Sequence, residues 1–270
     1  MDTVRSTDGT TIAFDRSGDG PPVILVVGAF NDRSTGAPLA RYLERRFTVY
    51  NYDRRGRGAS GDHAPYAIDR ELDDLDALIV EAGGPAAVFG YSSGAILALQ
   101  AAARRLPISR LALYDLPLIV GGAARSPVDH AAPLADLIAA GRRGDAVEYF
   151  QAKVVGIPED VVAQLRHAPF RAGLEAIAHT LVYDATLLGD GSLPSELARS
   201  VAVPTLVIAG GAGAPFMRET ADALAAALPD GRSLILEGQT HDIVPEVLGP
   251  ALERFFAGAA DVRADVSARS

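Results

Sequence analysis

Short unbroken apolar runs alternate along this chain with longer stretches whose apolar residues recur every three or four positions. Val23-Ile24-Leu25-Val26-Val27 and Ala86-Ala87-Val88-Phe89 are runs of the first kind. Phe47–Tyr52, Arg110–Tyr114, Pro204–Ala209 and Ser233–Leu236 resemble them in length. A run with little polar interruption suits a strand buried on both faces. Between these runs, Ala37–Arg45, Asp69–Ala82, Ala95–Leu106, Phe216–Leu228 and Val247–Phe256 read as helices. In Asp69–Ala82 the residues Leu72, Leu75, Leu78 and Ile79 fall on one helical face. Near the start, Thr3–Ser6 and Thr10–Phe14 flank Asp8-Gly9, the pattern of a hairpin. Strands alternating with helices predict an α/β fold with a mostly parallel sheet and right-handed crossovers.

The alternation stops between residues 120 and 198. Pro133–Gly141, Ala146–Val155, Glu159–His167 and Phe170–Leu181 are helix-like, and no convincing strand lies among them. The expected division is therefore a core of residues 1–119 and 199–258, a helical cap over 120–198, and a small polar tail over 259–270. An insertion that leaves a sheet from its strand ends is expected over their C-terminal edge, where open α/β sheets bind ligands.

The 270 residues are 49% hydrophobic and 22% charged, enough for one large domain with an insertion. The formal net charge is -9, and no dense Lys/Arg cluster appears, which argues against nucleic acid and anionic membranes as partners. The absence of cysteine excludes disulfides and thiolate chemistry. Met1–Ser6 lacks an apolar signal segment and no apolar run reaches membrane-spanning length, so the expected setting is the cytoplasm and the expected partner a small molecule.

The chemistry concentrates at Gly90-Tyr91-Ser92-Ser93-Gly94, a G-x-S-x-G pattern. Chance alone yields roughly 0.1 to 0.2 such matches in a chain of this length and composition, so its context decides its meaning. The strand-like run before it and the helix-like run after it place Ser92 on a tight turn at a helix N-terminus. There the hydroxyl is exposed, and a developing oxyanion meets free N–H groups and the positive end of the helix dipole.

Three motifs together make the chain resemble the α/β-hydrolase-fold proteins. They are the elbow at Gly90–Gly94, the stretch Asp53-Arg54-Arg55-Gly56-Arg57-Gly58-Ala59-Ser60, and Gly238-Gln239-Thr240-His241-Asp242. The resemblance covers about residues 2 to 258. It implies an eight-stranded, mostly parallel sheet flanked by helices, Ser92 as nucleophile and His241 as its base. The family's usual acid follows the seventh strand, but here Gly210–Phe216 holds no carboxylate. Some relatives place the acid after the sixth strand instead, which points to Asp115. Asp184, Asp242 or a dyad without a carboxylate are the other readings. The oxyanion hole is expected from the N–H of Ser93 and one from Ala29 or Phe30. Asn31 either donates from its side chain or caps a helix. Tyr91 and Asn31 are the candidate substrate contacts.

Other polar residues call for plainer roles. Arg54, Arg55 and Arg57 are expected to be structural, packed beside the elbow. Asp73, Asp74 and Asp76 read as a solvated helix face. His63 reads as a surface residue; His130, His167 and His179 read as helix-surface or packing residues. No metal-ligand spacing occurs, and Gly210–Gly213 lacks the Lys-Ser/Thr of a phosphate loop, so no cofactor is expected. The function expected is a serine hydrolase acting on an ester or thioester of a small, largely apolar molecule. The alternatives are a lyase, cyclase or carbon–carbon bond hydrolase on the same scaffold, or a hydrolase-like binding protein.

Overall fold

The computed structural model describes residues 1–119, 128–192 and 195–259. The expected tail beyond Ala259 and the first part of the expected cap, 120–127, lie outside the described residues.

The chain opens with strands β1 (Asp2–Arg5) and β2 (Thr11–Ser17), joined at Gly9, whose φ of 84° suits the turn. Strand β3 (Pro22–Val26), helix α1 (Arg33–Leu43), strand β4 (Thr48–Tyr52), helix α2 (Ile68–Glu81) and strand β5 (Ala86–Tyr91) follow. Helix α3 (Ser93–Ala103) and strand β6 (Ile108–Tyr114) complete the first half. Helices α4 (Ala131–Ala139), α5 (Arg143–Tyr149), α6 (Glu159–Leu165), α7 (Arg171–Ala176), α8 (Leu181–Leu188) and α9 (Ser195–Ser200) come next. The chain ends with β7 (Thr205–Gly210), α10 (Pro215–Ala227), β8 (Gly231–Leu236) and α11 (Pro245–Phe256).

All eight strands form one sheet in the order β1-β2-β4-β3-β5-β6-β7-β8. The pairs β1–β2 and β2–β4 are antiparallel and the others parallel. The apolar runs form the middle of the sheet because it is covered on both faces. Along β5, Ala86 and Val88 point into one core with α2, α3 and α10, while Ala87, Phe89 and Tyr91 point into another with α1 and α11. From β3 the chain crosses to β4 on one side and then returns to β5 on the other. The C-terminal ends of β3 and β5 therefore meet at the topological switch point, the position where open α/β sheets bind ligands.

Helices α4, α5 and α8 share a small third core of Leu134, Ala146, Val147, Phe150, Leu181 and Ala185. Ala29 and Phe30, from the loop after β3, pack against that cluster, so this segment sits on the C-terminal edge of the sheet. Phe30 meets Phe150 edge to face, with ring centroids 5.3 Å apart. Where one helix was expected over Ala146–Val155, α5 passes into a π-helical turn, Phe150–Val155, ended by Gly156 at φ 86°. Helix α9 packs instead on α3 and α10.

Candidate active site

The elbow is built by close approach. A Cβ on Gly90 would lie 2.6 Å from the Ala95 Cα, and one on Gly94 would strike the Val26 and Val27 carbonyls. Only glycine lets α3 pass this near to β3 and β5. Between them Ser92 adopts φ 56° and ψ −126°, a conformation that costs a non-glycine residue on the order of 1–3 kcal/mol. The backbone holds it there: Ser92 N donates to the Tyr114 carbonyl at 3.0 Å, and the Ser92 carbonyl accepts from Ala95 N at 2.9 Å. Ser92 stands at the N-cap of α3, yet its side chain makes no capping bond. Its hydroxyl is left available at the positive end of the helix.

The loop after β3 closes on this turn. A Cβ on Gly28 would lie 2.7 Å from the Ser92 Cβ, so only a glycine fits opposite the hydroxyl. Phe30 follows at φ 62°. Ser93 opens α3 and has no carbonyl one turn back for its N–H. Among the described residues, the N–H groups of Ala29 and Phe30 donate no hydrogen bond either. Asn31 is occupied locally: its Nδ2 donates to the Ala29 carbonyl at 2.7 Å, and its Oδ1 accepts from the Thr35 hydroxyl at 2.8 Å. The cap of α1 is Asp32, which accepts from Ser34 N.

Asp115 and His241 meet at the other side of the elbow. Asp115 directly follows β6 at φ 49° with its side chain fully buried. Its Oδ1 accepts from Gly210 N at 2.9 Å, and its Oδ2 lies 2.9 Å from His241 Nδ1. The imidazole is 41% exposed, so the ring reaches solvent from a buried anchor. Its ring lies 4.9 Å from that of Tyr91, the residue before Ser92. Tyr91 itself is buried, stacked on Tyr114 at 6.0 Å. Tyr114 Oη donates to the carbonyls of Thr240 and Asp242 at 2.6 and 3.2 Å, which fixes the His241 loop from both sides. Burial, and then the charge of Asp115, push the Tyr91 and Tyr114 phenols well above their ordinary range, so both remain donors. A hydrogen bond between Ser92 Oγ and His241 is not among those of the described residues; such bonds are often long before substrate binds.

The other two carboxylates weighed for the acid lie elsewhere. Asp242 accepts from the Thr240 hydroxyl at 3.0 Å in an exposed position. Asp184, on α8, faces Arg54, Arg57 and Ser93 rather than His241. The three arginines are buried and paired. Arg54 forks onto Glu71 with two bonds of 2.8 Å, and Arg55 onto Asp74 with two of 2.7 Å. This corrects the reading of Asp74 as part of a solvated face: it is 1% exposed because Arg55 requires a buried partner. Asp73 keeps the outer position and accepts from the Thr7 hydroxyl. The missed signal was spacing, since Glu71, Asp74 and Leu78 share one face of α2. Burial works against the charge on Asp184, but Arg57 and Arg54 hold its carboxyl below the usual range. Among the histidines, His63 meets Arg70, His130 meets Tyr149, and His179 lies between Arg143 and Asp62.

Comparison with known proteins agrees with this architecture. A family model described as the alpha/beta hydrolase family matches residues 23–248. A solved alpha/beta hydrolase from Sphaerobacter thermophilus DSM 20745 is 52% identical, with a TM-score of 0.88 over 94% of this chain and 100% of that one. A thermophilic esterase from Thermogutta terrifontis, solved with malate bound, is 24% identical with a TM-score of 0.70, covers 95% of each chain, and shares the fold. The uncharacterized hydrolase YraK of Bacillus subtilis (strain 168) is 35% identical over 95 residues, which span 34% of this chain and 35% of that protein. With a G-x-S-x-G turn at the switch point of an eight-stranded sheet and a family match over most of its length, the chain belongs to the alpha/beta hydrolase family.

Proposed function

We propose that the chain is a serine hydrolase that cleaves an ester or thioester of a small, largely apolar molecule. The observation that carries the reading is the Asp115–His241 pair at 2.9 Å, set beside a serine held at φ 56°. Ser92 Oγ attacks the substrate carbonyl while His241 Nε2 takes the hydroxyl proton. Asp115 accepts from Nδ1–H, which fixes the tautomer and stabilises the imidazolium. The N–H of Ser93, with that of Ala29 or Phe30, receives the oxyanion. Imidazolium returns the proton to the leaving alcohol or thiol, and an acyl group remains on Ser92. Water, deprotonated by His241, then releases the acid and restores the hydroxyl. The edge-to-face packing of Phe30, in the proposed oxyanion loop, on Phe150 supports an apolar acyl group. The family's name and the esterase among its structural neighbours support hydrolysis.

A panel of p-nitrophenyl esters of increasing acyl length tests this. The wild-type chain is expected to hydrolyse the shorter esters, and Ser92→Ala to lose at least about a thousandfold in kcat. The variant should keep its thermal midpoint, because truncation of a small, partly buried turn residue leaves no large cavity. A variant that retains more than about a tenth of the wild-type kcat contradicts the proposal.

A further inference from the structure

One carboxylate from the helical segment ties together both sides of the proposed oxyanion hole. Asp184 lies on α8 with its side chain fully buried. Its Oδ1 accepts from the Ser93 hydroxyl at 2.7 Å and from Arg54 Nη1 at 2.9 Å; its Oδ2 accepts from Arg57 Nη2 at 2.7 Å. Ser93 supplies the N–H that opens α3. Arg57 carries the connection across, since its Nη1 donates to the carbonyls of Gly28 and Asn31. Those two residues bracket Ala29 and Phe30. The elbow and the loop facing it thus share a single anchor, and that anchor comes from outside the two elements that form the hole.

Stability is a poor explanation for this arrangement. A buried ion pair roughly breaks even against apolar residues of similar size. Apolar packing already seats α8, through Leu181 and Ala185 in the small third core and Leu187 in the main one. Burial of such a leucine contributes roughly 1.5–3 kcal/mol. Among the described residues, buried Arg57 Nε has no partner, while the same guanidinium reaches two loop carbonyls and Asp184. The site spends a desolvated donor to obtain fixed geometry.

We infer that Asp184 is a positioning residue: it sets the distance between the Ser93 N–H and the N–H groups of Ala29 and Phe30, and so couples the seating of α8 to the competence of the oxyanion hole. This rests on the serine-hydrolase reading above. The neighbouring pair Arg55–Asp74 provides the comparator. It joins an arginine of the same loop to a buried carboxylate, but Arg55 reaches Asp8 and the Arg70 carbonyl, not the elbow or residues 28–31.

The test measures kcat and KM for p-nitrophenyl butyrate, the affinity for butylboronic acid, and thermal midpoints, for wild type, Asp184→Asn, Ser93→Ala and Asp74→Asn. The boronate forms a tetrahedral adduct on a nucleophilic serine and places an oxygen in the hole. Asp184→Asn is expected to lower kcat by about tenfold or more, with KM within about twofold, and to weaken the boronate by a similar factor. Ser93→Ala, which deletes only the bridging hydroxyl, is expected to lower kcat by roughly threefold or more. Asp74→Asn is expected to lose thermal midpoint yet keep kcat and boronate affinity. Equal kcat and boronate affinity in Asp184→Asn and Asp74→Asn overturn the inference, as does a loss carried wholly by KM. If Asp184→Asn does not fold, Ser93→Ala decides, and wild-type kcat with wild-type boronate affinity there overturns it. A wild-type chain that neither hydrolyses the ester nor takes up the boronate fails earlier: it removes the hydrolase reading, and this inference with it.

Discussion

Asp115 and Asp184 are both fully buried carboxylates beside the elbow, and they differ in what faces them. Asp115 takes one backbone N–H on Oδ1 and presents Oδ2 to an imidazole that reaches solvent. Asp184 is clamped by two guanidiniums and a hydroxyl, all buried. A carboxylate whose partner can gain and lose a proton is placed to support proton transfer. One held between permanent cations is a fixture. Burial and proximity to the elbow do not separate these cases; the chemical kind of partner, an imidazole or a pair of guanidiniums, does.

Removing the charge at the first site should have the larger effect. Asp115→Asn is expected to lower kcat by roughly 10³- to 10⁴-fold, because the amide favours the wrong imidazole tautomer, with KM little changed. Asp242→Asn, in its exposed loop position, should stay within about threefold of wild type. Steady-state kinetics on a shared ester substrate check both, and the reverse ranking would place the acid at Asp242.

A smaller effect is expected from the support of the His241 loop. Tyr114→Phe deletes the two bonds to the Thr240 and Asp242 carbonyls while keeping the stacked ring. Stability by urea unfolding should fall by about 1 kcal/mol, and kcat by several-fold at nearly constant KM. Unchanged kcat would mean that the loop holds the imidazole without Tyr114.

The smallest effect is in acid. With its folded carboxyl held below the usual value, Asp184 contributes stability that is present above about pH 4 and is lost as pH falls through the folded value. Asp74 has the opposite sign, because burial raises its carboxyl despite Arg55. The stability gap between wild type and Asp184→Asn should therefore shrink from pH 5 toward pH 3, while wild type gains on Asp74→Asn over the upper part of that range. Urea unfolding across the range checks the two slopes, and slopes of one sign would refute the contrast.

The same contrast shows what the sequence makes legible. The strands of the sheet and the elbow are local patterns, unbroken apolar runs and a G-x-S-x-G turn, and the fold follows from them. Asp115 is approachable because Gly210–Phe216 lacks a carboxylate, and at Gly210 itself the fold admits no side chain. A Cβ at Gly210 would lie 2.5 Å from the Thr240 carbonyl, so the His241 loop occupies the space that a side chain there would need. Asp184 has no such local sign. Its partners lie 91, 127 and 130 positions away, and only the fold brings them together. The one hint is compositional: Leu181–Leu188 is an apolar helix with a single acid, in a chain that carries three arginines between Asp53 and Ser60. Asp74 lies between these cases: its place on the buried face of α2 is a local sign, but the partner that accommodates its charge there, Arg55, comes from another element.

In the proposed reaction Ser92 is the activated nucleophile. Intact-mass measurement after brief exposure to a fluorophosphonate, followed by peptide mapping, tests it most directly. One adduct per chain on Ser92 is expected in the wild type, with much slower labelling in Asp115→Asn and none in Ser92→Ala. No adduct in the folded wild type, or an adduct on another residue, would contradict it.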